Sequence, residues 1–442
     1  MSVWSEFSDL FSEESLKQTY HQHIILSNAL GIDNLRQQSF FPIQDEQVAI
    51  ISRKTLSGNY QFTKYRLKLI SKGRKKLPRE ISIPTIRDRI ALRALCDFLS
   101  KRFSSSIKFE LPQNVVKSVN SHVASGTYDG FIKLDVTNFY PSIKHDELRS
   151  RLRKRIRNDV ILDFIDNAIS RPTVIKSRTS DQLEEKGVPQ GLAISNVLSA
   201  IYLSNIDRHM EQKHNIKYYR YVDDVLILCN FSEVNEISND LIGRFRRIGL
   251  EMHDPKKSPE KSQIGKVTEK FDYLGYQFNN GTISCRQSSL EKLRESIVSI
   301  FTGYKYSKYG NEGFLLWRLD MRITGCVFEK KCKGWLFYFS EMNDETILHE
   351  LDLFILSLIK RFKVSVRPKR FVRSFYQVKH HKYDSNYIPN FDEYTLEQKK
   401  EVLTKYFNKD LSKVYDHEID YEFKKRISRQ VKDLLEDVKD FS

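Results

Sequence analysis

Tyr221-Val222-Asp223-Asp224-Val225-Leu226-Ile227-Leu228 sets two adjacent acids between apolar residues of strand character. With Ile216–Tyr221 before the acids and Val225–Cys229 after them, the stretch reads as a β-hairpin tipped by Val222-Asp223-Asp224. A second apolar run, Phe131–Val136, reads as a buried strand and carries Asp135. Acids in such surroundings are costly to bury unless cations compensate them. Three carboxylates converging from separate strands can hold two Mg²⁺ ions about 3.5–4 Å apart. Mg²⁺ suits them because it binds carboxylate and phosphate oxygens while keeping some of its waters. A lone Asp-Asp is usually an ordinary acidic turn, so the pair takes its meaning from the rest of the chain.

Outward from these strands, helices and strands interleave, which indicates an α+β fold. Residues 1–60 read as a helical extension. Residues 61–84 are basic, with apolar residues alternating at Tyr65, Leu67 and Leu69 and again at Ile81 and Ile83. They predict a hairpin turning at Lys72-Gly73-Arg74-Lys75-Lys76. An amphipathic helix is expected over 85–104 and an arginine-rich one over 146–157. Gly187–Gly191 is a loop, followed by a long helix with Ser195 as its N-cap. Phe271–Phe278 and Gly281–Cys285 suggest a further hairpin, and from about 290 the pattern is mainly helical. The expected divisions are 1–60, a core over 61–285, a basic helical region over 286–390 and a helical segment over 391–442.

Composition narrows the partners. Lys plus Arg number 73 against 57 Asp plus Glu, a net charge of +16, and such a surface attracts polyanions. The five cysteines show no Cys-x-x-Cys spacing, which fits reduced thiols in a cytoplasm. No signal peptide and no apolar run of membrane-spanning length is expected.

Six stretches in order give the chain a family resemblance. Arg79-Glu80-Ile81-Ser82-Ile83-Pro84 with Asp88-Arg89 is similar to the fingers motifs of reverse transcriptases. Asp135 followed by Phe139-Tyr140-Pro141-Ser142-Ile143 resembles their first palm motif. Gly187-Val188-Pro189-Gln190-Gly191 resembles the template- and nucleotide-contacting loop, and Tyr221-Val222-Asp223-Asp224 the catalytic signature. Gly249-Leu250 with Lys256-Lys257-Ser258 resembles the next palm motif, and Phe271-Asp272-Tyr273-Leu274-Gly275-Tyr276 the primer grip. The chain looks most like the bacterial branch of group II intron, retron and defence-associated enzymes. Viral RNA-copying RNA polymerases share the palm but usually carry Gly before the acid pair, where this chain has Tyr221-Val222.

The resemblance implies a right-hand polymerase with fingers, palm and thumb that adds deoxynucleoside triphosphates to nascent DNA on an RNA template. Asp135, Asp223 and Asp224, with Val136, would hold two Mg²⁺ ions, Mn²⁺ being an alternative. Lys72, Arg79, Tyr140, Gln190 and Gly191 would meet the incoming nucleotide, Tyr140 by packing beneath its sugar. Tyr221, Tyr273, Leu274, Gly275 and Lys257 would meet primer and template. Pro255 looks inserted, so the choice between Lys256 and Lys257 as proton donor to pyrophosphate stays open.

Residues 360–382 hold nine Lys or Arg and no acid, with Phe362, Phe371, Phe375 and Tyr376 interleaved. Basic residues can follow phosphates while rings stack on unpaired bases. Lys363, Lys369, Arg370 and Arg373 are therefore expected to bind RNA. The template expected is one dedicated, structured non-coding RNA, in a bacterial defence against phage. Retron- or intron-type copying is the nearest alternative. A non-catalytic RNA-binding scaffold is the alternative from another class, against which the three acids argue.

Overall fold

The alternation at the basic hairpin becomes two antiparallel strands, β1 (Tyr65–Ile70) and β2 (Arg79–Ile83), with Ile70 opposite Arg79 and Arg66 opposite Ile83. The computed structural model describes residues 2–71, 77–307, 311–412 and 414–438, so the expected turn at 72–76, Lys72 included, lies outside the described residues. The chain forms two compact units, Met1–Phe109 with Ile132–Ile264, and Glu110–Phe131 with Gly265–Ser442. The fold is α+β, as expected.

In the first unit a sheet carries all three acids. Its strands are β3 (Gly130–Thr137), β5 (Lys217–Tyr221), β6 (Asp224–Cys229), β7 (Glu251–Met252) and β8 (Gln263–Lys266), in the order β5-β6-β3-β7 with β8 also beside β3. The short β4 (Thr173–Val174) instead runs parallel to β1. Antiparallel pairing of β5 with β6 places Tyr221 opposite Asp224. Leu226, Ile227, Leu228 and Cys229 are fully buried, which explains the unbroken apolar run. Helix Ser195–Glu211 packs against β5 and helix Val234–Arg247 against β7, giving the palm layering that the resemblance implies.

The N-terminal helices Val3–Leu10, Glu13–Thr19 and Gln44–Leu56 pack around helix Ile86–Arg102. Phe7 meets Phe98 edge-on at 5.2 Å between ring centres and Phe11 meets Phe164 at 5.4 Å. Thr85 caps helix Ile86–Arg102 by accepting from the Asp88 amide. Asp88 is fully buried and accepts from the Tyr60 hydroxyl at 2.7 Å, the Thr63 amide at 3.0 Å and the Thr63 hydroxyl. Burial pushes its carboxyl up and the Thr63 and Tyr60 bonds pull it back.

Ser195 departs from its expected place. Ser195 is not the N-cap but the first helical residue, after Ile194, and its hydroxyl donates to the Pro189 carbonyl at 2.7 Å. It ties the helix to the preceding loop rather than closing the helix end.

The second unit holds a three-stranded antiparallel meander of β9 (Phe271–Tyr273), β10 (Tyr276–Asn279) and β11 (Thr282–Cys285). Helices Gln287–Lys305, Glu312–Thr324, Thr346–Phe362 and Phe371–His380 pack on one another, as do Leu396–Phe407 and Asp416–Glu436. The mainly helical reading missed one hairpin, β12 (Cys326–Phe328) with β13 (Lys331–Lys333). Among the described residues no helix is long and apolar enough to cross a membrane.

Removing the buried Asp88 acceptor strands two hydroxyls and an amide. Asp88→Ala should therefore cost about 2–3 kcal/mol in urea denaturation, and Asp88→Asn clearly less because one acceptor oxygen stays. An Ala variant as stable as the wild type would deny Asp88 this role.

Candidate active site

Val136 donates its amide to the Asp223 carbonyl at 3.3 Å, so the strand bearing Asp135 is bonded to the turn bearing Asp223. The two side chains are close enough to interact. Burial pushes the Asp223 carboxyl up, the charge of Asp135 pushes it further, and Lys261 and Arg79 act the other way. Asp224 opens β6 on the opposite strand of the hairpin, and Asp135, Asp223 and Asp224 are all half-buried.

Asp135 has the most explicit partners. Its Oδ2 lies 3.0 Å from the Lys261 ammonium and 3.7 Å from His253 Nε2, and its amide donates to the Ser262 hydroxyl at 3.1 Å. Its carbonyl accepts from the His253 amide at 2.9 Å. Sequence reasoning chose Lys256 and Lys257 instead. Both are exposed, on a turn in which Asp254 accepts from the amides of Lys256, Lys257 and Ser258. A faint signal existed: Lys257-Ser258 recurs four residues later as Lys261-Ser262. The turn that begins at Pro255 absorbs the first copy, and the second reaches Asp135.

Tyr140 follows Asn138, whose φ of +46° lets the chain leave β3 and turn into the short helix Phe139–Ser142. The Tyr140 hydroxyl donates to Asn196 Oδ1 at 2.5 Å, and burial pushes its pKa up to about 12. Phe139 is buried, in keeping with a core role. The loop over 187–191 is fastened at both ends. The Gly187 and Val188 amides donate to the Ile143 and Tyr140 carbonyls, and the Gln190 carbonyl accepts from the Ser82 amide of β2 at 2.7 Å. Gly191 has φ +103°, and a Cβ there would lie 2.8 Å from the Ile81 side chain and 3.0 Å from the Ser82 carbonyl. Glycine is thus required by the close approach of β2. The same zipper holds Arg79, on β2, within electrostatic reach of Asp223 and Tyr140.

The hairpin tip is strained. Val222 has φ +57°, and Arg220 donates to its carbonyl at 2.7 Å. A left-handed conformation costs an L-residue roughly 1–2 kcal/mol, and β-branching adds to the oddity. Sequence reasoning also missed Arg220 and its partner Asp207.

The other expected site residues lie in the second unit. Tyr273, Leu274 and Gly275 are all buried. Leu274 and Gly275 form the two-residue turn between β9 and β10, with φ of +47° and +78°. The turn is held by the Tyr338 hydroxyl, which donates to the Leu274 carbonyl at 3.1 Å, and by the Arg286 amide, which donates to Gly275. In the basic run, Lys363, Arg370 and Arg373 are exposed. Lys369 is half-buried, donates to the Tyr387 carbonyl at 2.6 Å and lies, like Arg373, over the Tyr387 ring. Base stacking is corrected for two of the rings: Phe371 and Phe375 are buried, whereas Tyr376 is exposed.

Among the described residues, no group of three His, Cys, Asp or Glu side chains is gathered tightly enough to hold a metal ion as it stands. The donor set still fits a hard cation. Asp135 and Asp223 are oxygen donors, and the charge of Asp135 raises the cost of charging Asp223.

Residues 70–278 match the family described as reverse transcriptase (RNA-dependent DNA polymerase), so the chain carries a reverse transcriptase domain. It is 25% identical over 195 residues to Protein YkfC of Escherichia coli (strain K12), a match covering 42% of this chain and 50% of that protein. The chain thus spans about half the length of this curated relative. Among solved structures it is similar to apo telomerase from Candida tropicalis truncated from its C-terminal domain, with 14% identity and a TM-score of 0.40 over 51% of this chain and 55% of that one. It is also similar to telomerase from Candida albicans in complex with a TWJ fragment of telomeric RNA, with 13% identity and a TM-score of 0.41 over 90% of this chain and 69% of that one.

Two glycines differ in the room they leave for a Cβ. Gly191→Ala must move β2 or the loop and should cost about 1–3 kcal/mol. Gly243, inside helix Val234–Arg247, has open space at its Cβ, so Gly243→Ala should stabilise by about 0.5–1 kcal/mol. Thermal unfolding of both variants checks the contrast, and a neutral Gly191→Ala would remove the close-approach explanation.

Proposed function

We propose that the chain is an RNA-directed DNA polymerase that extends a primer with deoxynucleotides by two-metal catalysis. The observation that carries this reading is the bond between the strand of Asp135 and the turn of Asp223, within a reverse transcriptase domain, which brings the charge of Asp135 to bear on the Asp223 carboxyl. Asp135, Asp223 and Asp224 are the residues that would hold Mg²⁺, with Mn²⁺ as substitute and Val136 adjoining. Such ions supply activation of a 3′-hydroxyl and charge stabilisation of pyrophosphate.

The chain's own residues do the rest. Arg79, within electrostatic reach of Asp223, offers a planar fork suited to triphosphate oxygens. Tyr140 forms a wall whose tip Asn196 holds, suited to excluding a 2′-hydroxyl from the sugar site. The loop of Gln190 and Gly191 sets the floor on which a templated pair would rest. Lys261, already on Asp135, is our candidate to neutralise or protonate a departing phosphate, in place of Lys256 or Lys257. Tyr221 and Lys257 in the first unit are proposed to meet primer or template, as are Tyr273, Leu274 and Gly275 in the second, whose buried turn would contribute through its backbone.

The finer part of the proposal is a dedicated, structured non-coding RNA template, copied in bacterial antiphage defence. It rests on the exposed basic residues Lys363, Arg370 and Arg373 with Tyr376 nearby in sequence, and on the family resemblance. Folded RNA is read through phosphates, 2′-hydroxyls and stacking on unpaired bases.

Two outcomes are expected. Asp223→Asn and Asp135→Asn should each lower Mg²⁺-dependent primer extension by about a thousandfold or more while RNA affinity stays within about threefold. Near-normal extension by either variant would refute the metal assignment. Sequencing nucleic acid that copurifies with the protein from its native host should show one dominant RNA and DNA complementary to it. A broad sample of cellular transcripts, or unchanged phage sensitivity after deletion of the gene, would refute the dedicated-template and defence readings.

A further inference from the structure

The acid-bearing turn joins β5 to β6 through only Val222 and Asp223, because Tyr221 and Asp224 face each other in the ladder. Positive φ occurs at the first of these two, Val222, and not at Asp223. That position of a two-residue hairpin turn ordinarily takes glycine. A β-branched residue stays there only if its surroundings over-determine it.

The determinants are visible. Arg220 Nη1 donates to the Val222 carbonyl at 2.7 Å. The rest of its guanidinium forms a fork on Asp207, Nε to Oδ1 at 2.7 Å and Nη2 to Oδ2 at 2.5 Å. The Tyr218 hydroxyl donates to Asp207 Oδ1 at 2.9 Å. Asp207 belongs to helix Ser195–Glu211, and the Arg220 and Asp207 side chains are only 11% and 18% exposed. The next carbonyl, that of Asp223, accepts from the Val136 amide. Both carbonyls of the turn are therefore tethered, one to the helix through a planar cation and one to the strand of Asp135.

We infer that Arg220, held by Asp207, is a positioning residue: it keeps Val222 in its left-handed conformation and so aims the Asp223 carboxylate at the site it shares with Asp135. The inference rests on the polymerase reading for its kinetic test but not for its binding test. Lysine keeps the charge yet cannot span a carboxylate and a carbonyl with one rigid fork.

The test uses the full chain. In Arg220→Lys, calorimetric titration with Mn²⁺ should show affinity weakened about fivefold or more. The Mg²⁺ concentration for half-maximal primer extension should rise by a similar factor, with RNA affinity unchanged. Adding Val222→Gly to Arg220→Lys should recover at least about half of the lost affinity, since glycine adopts positive φ unaided. Asp207→Asn, which loosens the fork without removing Arg220, should shift Mn²⁺ affinity in the same direction and serves if Arg220→Lys does not fold. Mn²⁺ affinities of Arg220→Lys and Asp207→Asn within about twofold of wild type would overturn the inference. So would a loss that Val222→Gly leaves unrepaired, which would mark Arg220 as general scaffolding. A wild-type protein that binds Mn²⁺ but extends no primer would sink the polymerase reading while the binding comparison still judged the clamp.

Discussion

The hydrogen bond from the Val136 amide to the Asp223 carbonyl sets the register on which the site depends. Side chains alternate faces along a strand, so a slip of one residue would turn Asp135 away from the hairpin tip. With this register the two acids interact, and the charge of Asp135 makes ionisation of Asp223 harder. The surroundings answer that pressure with cations from separate segments, Lys261 on Asp135 and Arg79 within reach of Asp223. Apolar packing of β6 supplies the rigidity, since Val225 to Cys229 are buried without interruption. The hydrophobic run and the acid pair are therefore parts of one device: the run fixes the strand and the strand fixes the charges.

Left-handed positions occur in turns of both units, and three of these turns are held by groups elsewhere in the chain. Val222 is held by Arg220 and through it by Asp207. Leu274 is held by the hydroxyl of Tyr338, 64 residues later. The turn between β12 and β13 uses Glu329 and Lys330 at φ of +53° and +56°, with Asp392 accepting from both amides at 2.9 and 2.7 Å. Bulky or charged residues occupy these left-handed positions because a donor or acceptor elsewhere in the chain over-determines the backbone.

This pattern explains what could be read from the sequence. The apolar run after Asp224, the alternation in β1 and β2 and the glycines at 187 and 191 are local signals, and they located the acids, the basic hairpin and the loop zippered to β2. The β12–β13 hairpin carried no such signal. Its turn is Glu-Lys where Asn-Gly would have announced it, and its stabilising carboxylate is about sixty residues away. Ser195 had an N-cap's residue type, but its hydroxyl went to Pro189. Lys261 was hidden because Lys256-Lys257-Ser258 offered the same chemistry earlier in the segment. Only the turn built on Asp254 shows which lysine points inward.

Charge was the easiest property to count and the least direct guide to contacts. Arg149 is paired with Asp159, Asp163 and Asp166, Arg153 with Asp159, and Arg151 with Glu147. Lys369 is turned onto Tyr387, and Phe371 and Phe375 are buried. Pairing leaves the net charge of +16 unchanged, so the attraction of a polyanion from a distance survives it. What pairing removes is local: a guanidinium already saturated by carboxylates has no donors to spare for a phosphate. Within the basic run seven of the nine cations, Lys360, Arg361, Lys363, Arg367, Arg370, Arg373 and Lys379, stay exposed beside the exposed ring of Tyr376, and only Lys369 and Lys382 are half-buried. Net charge thus bears on how readily a polyanion approaches, whereas the exposed donors of a run such as this one bear on where a phosphate could be held.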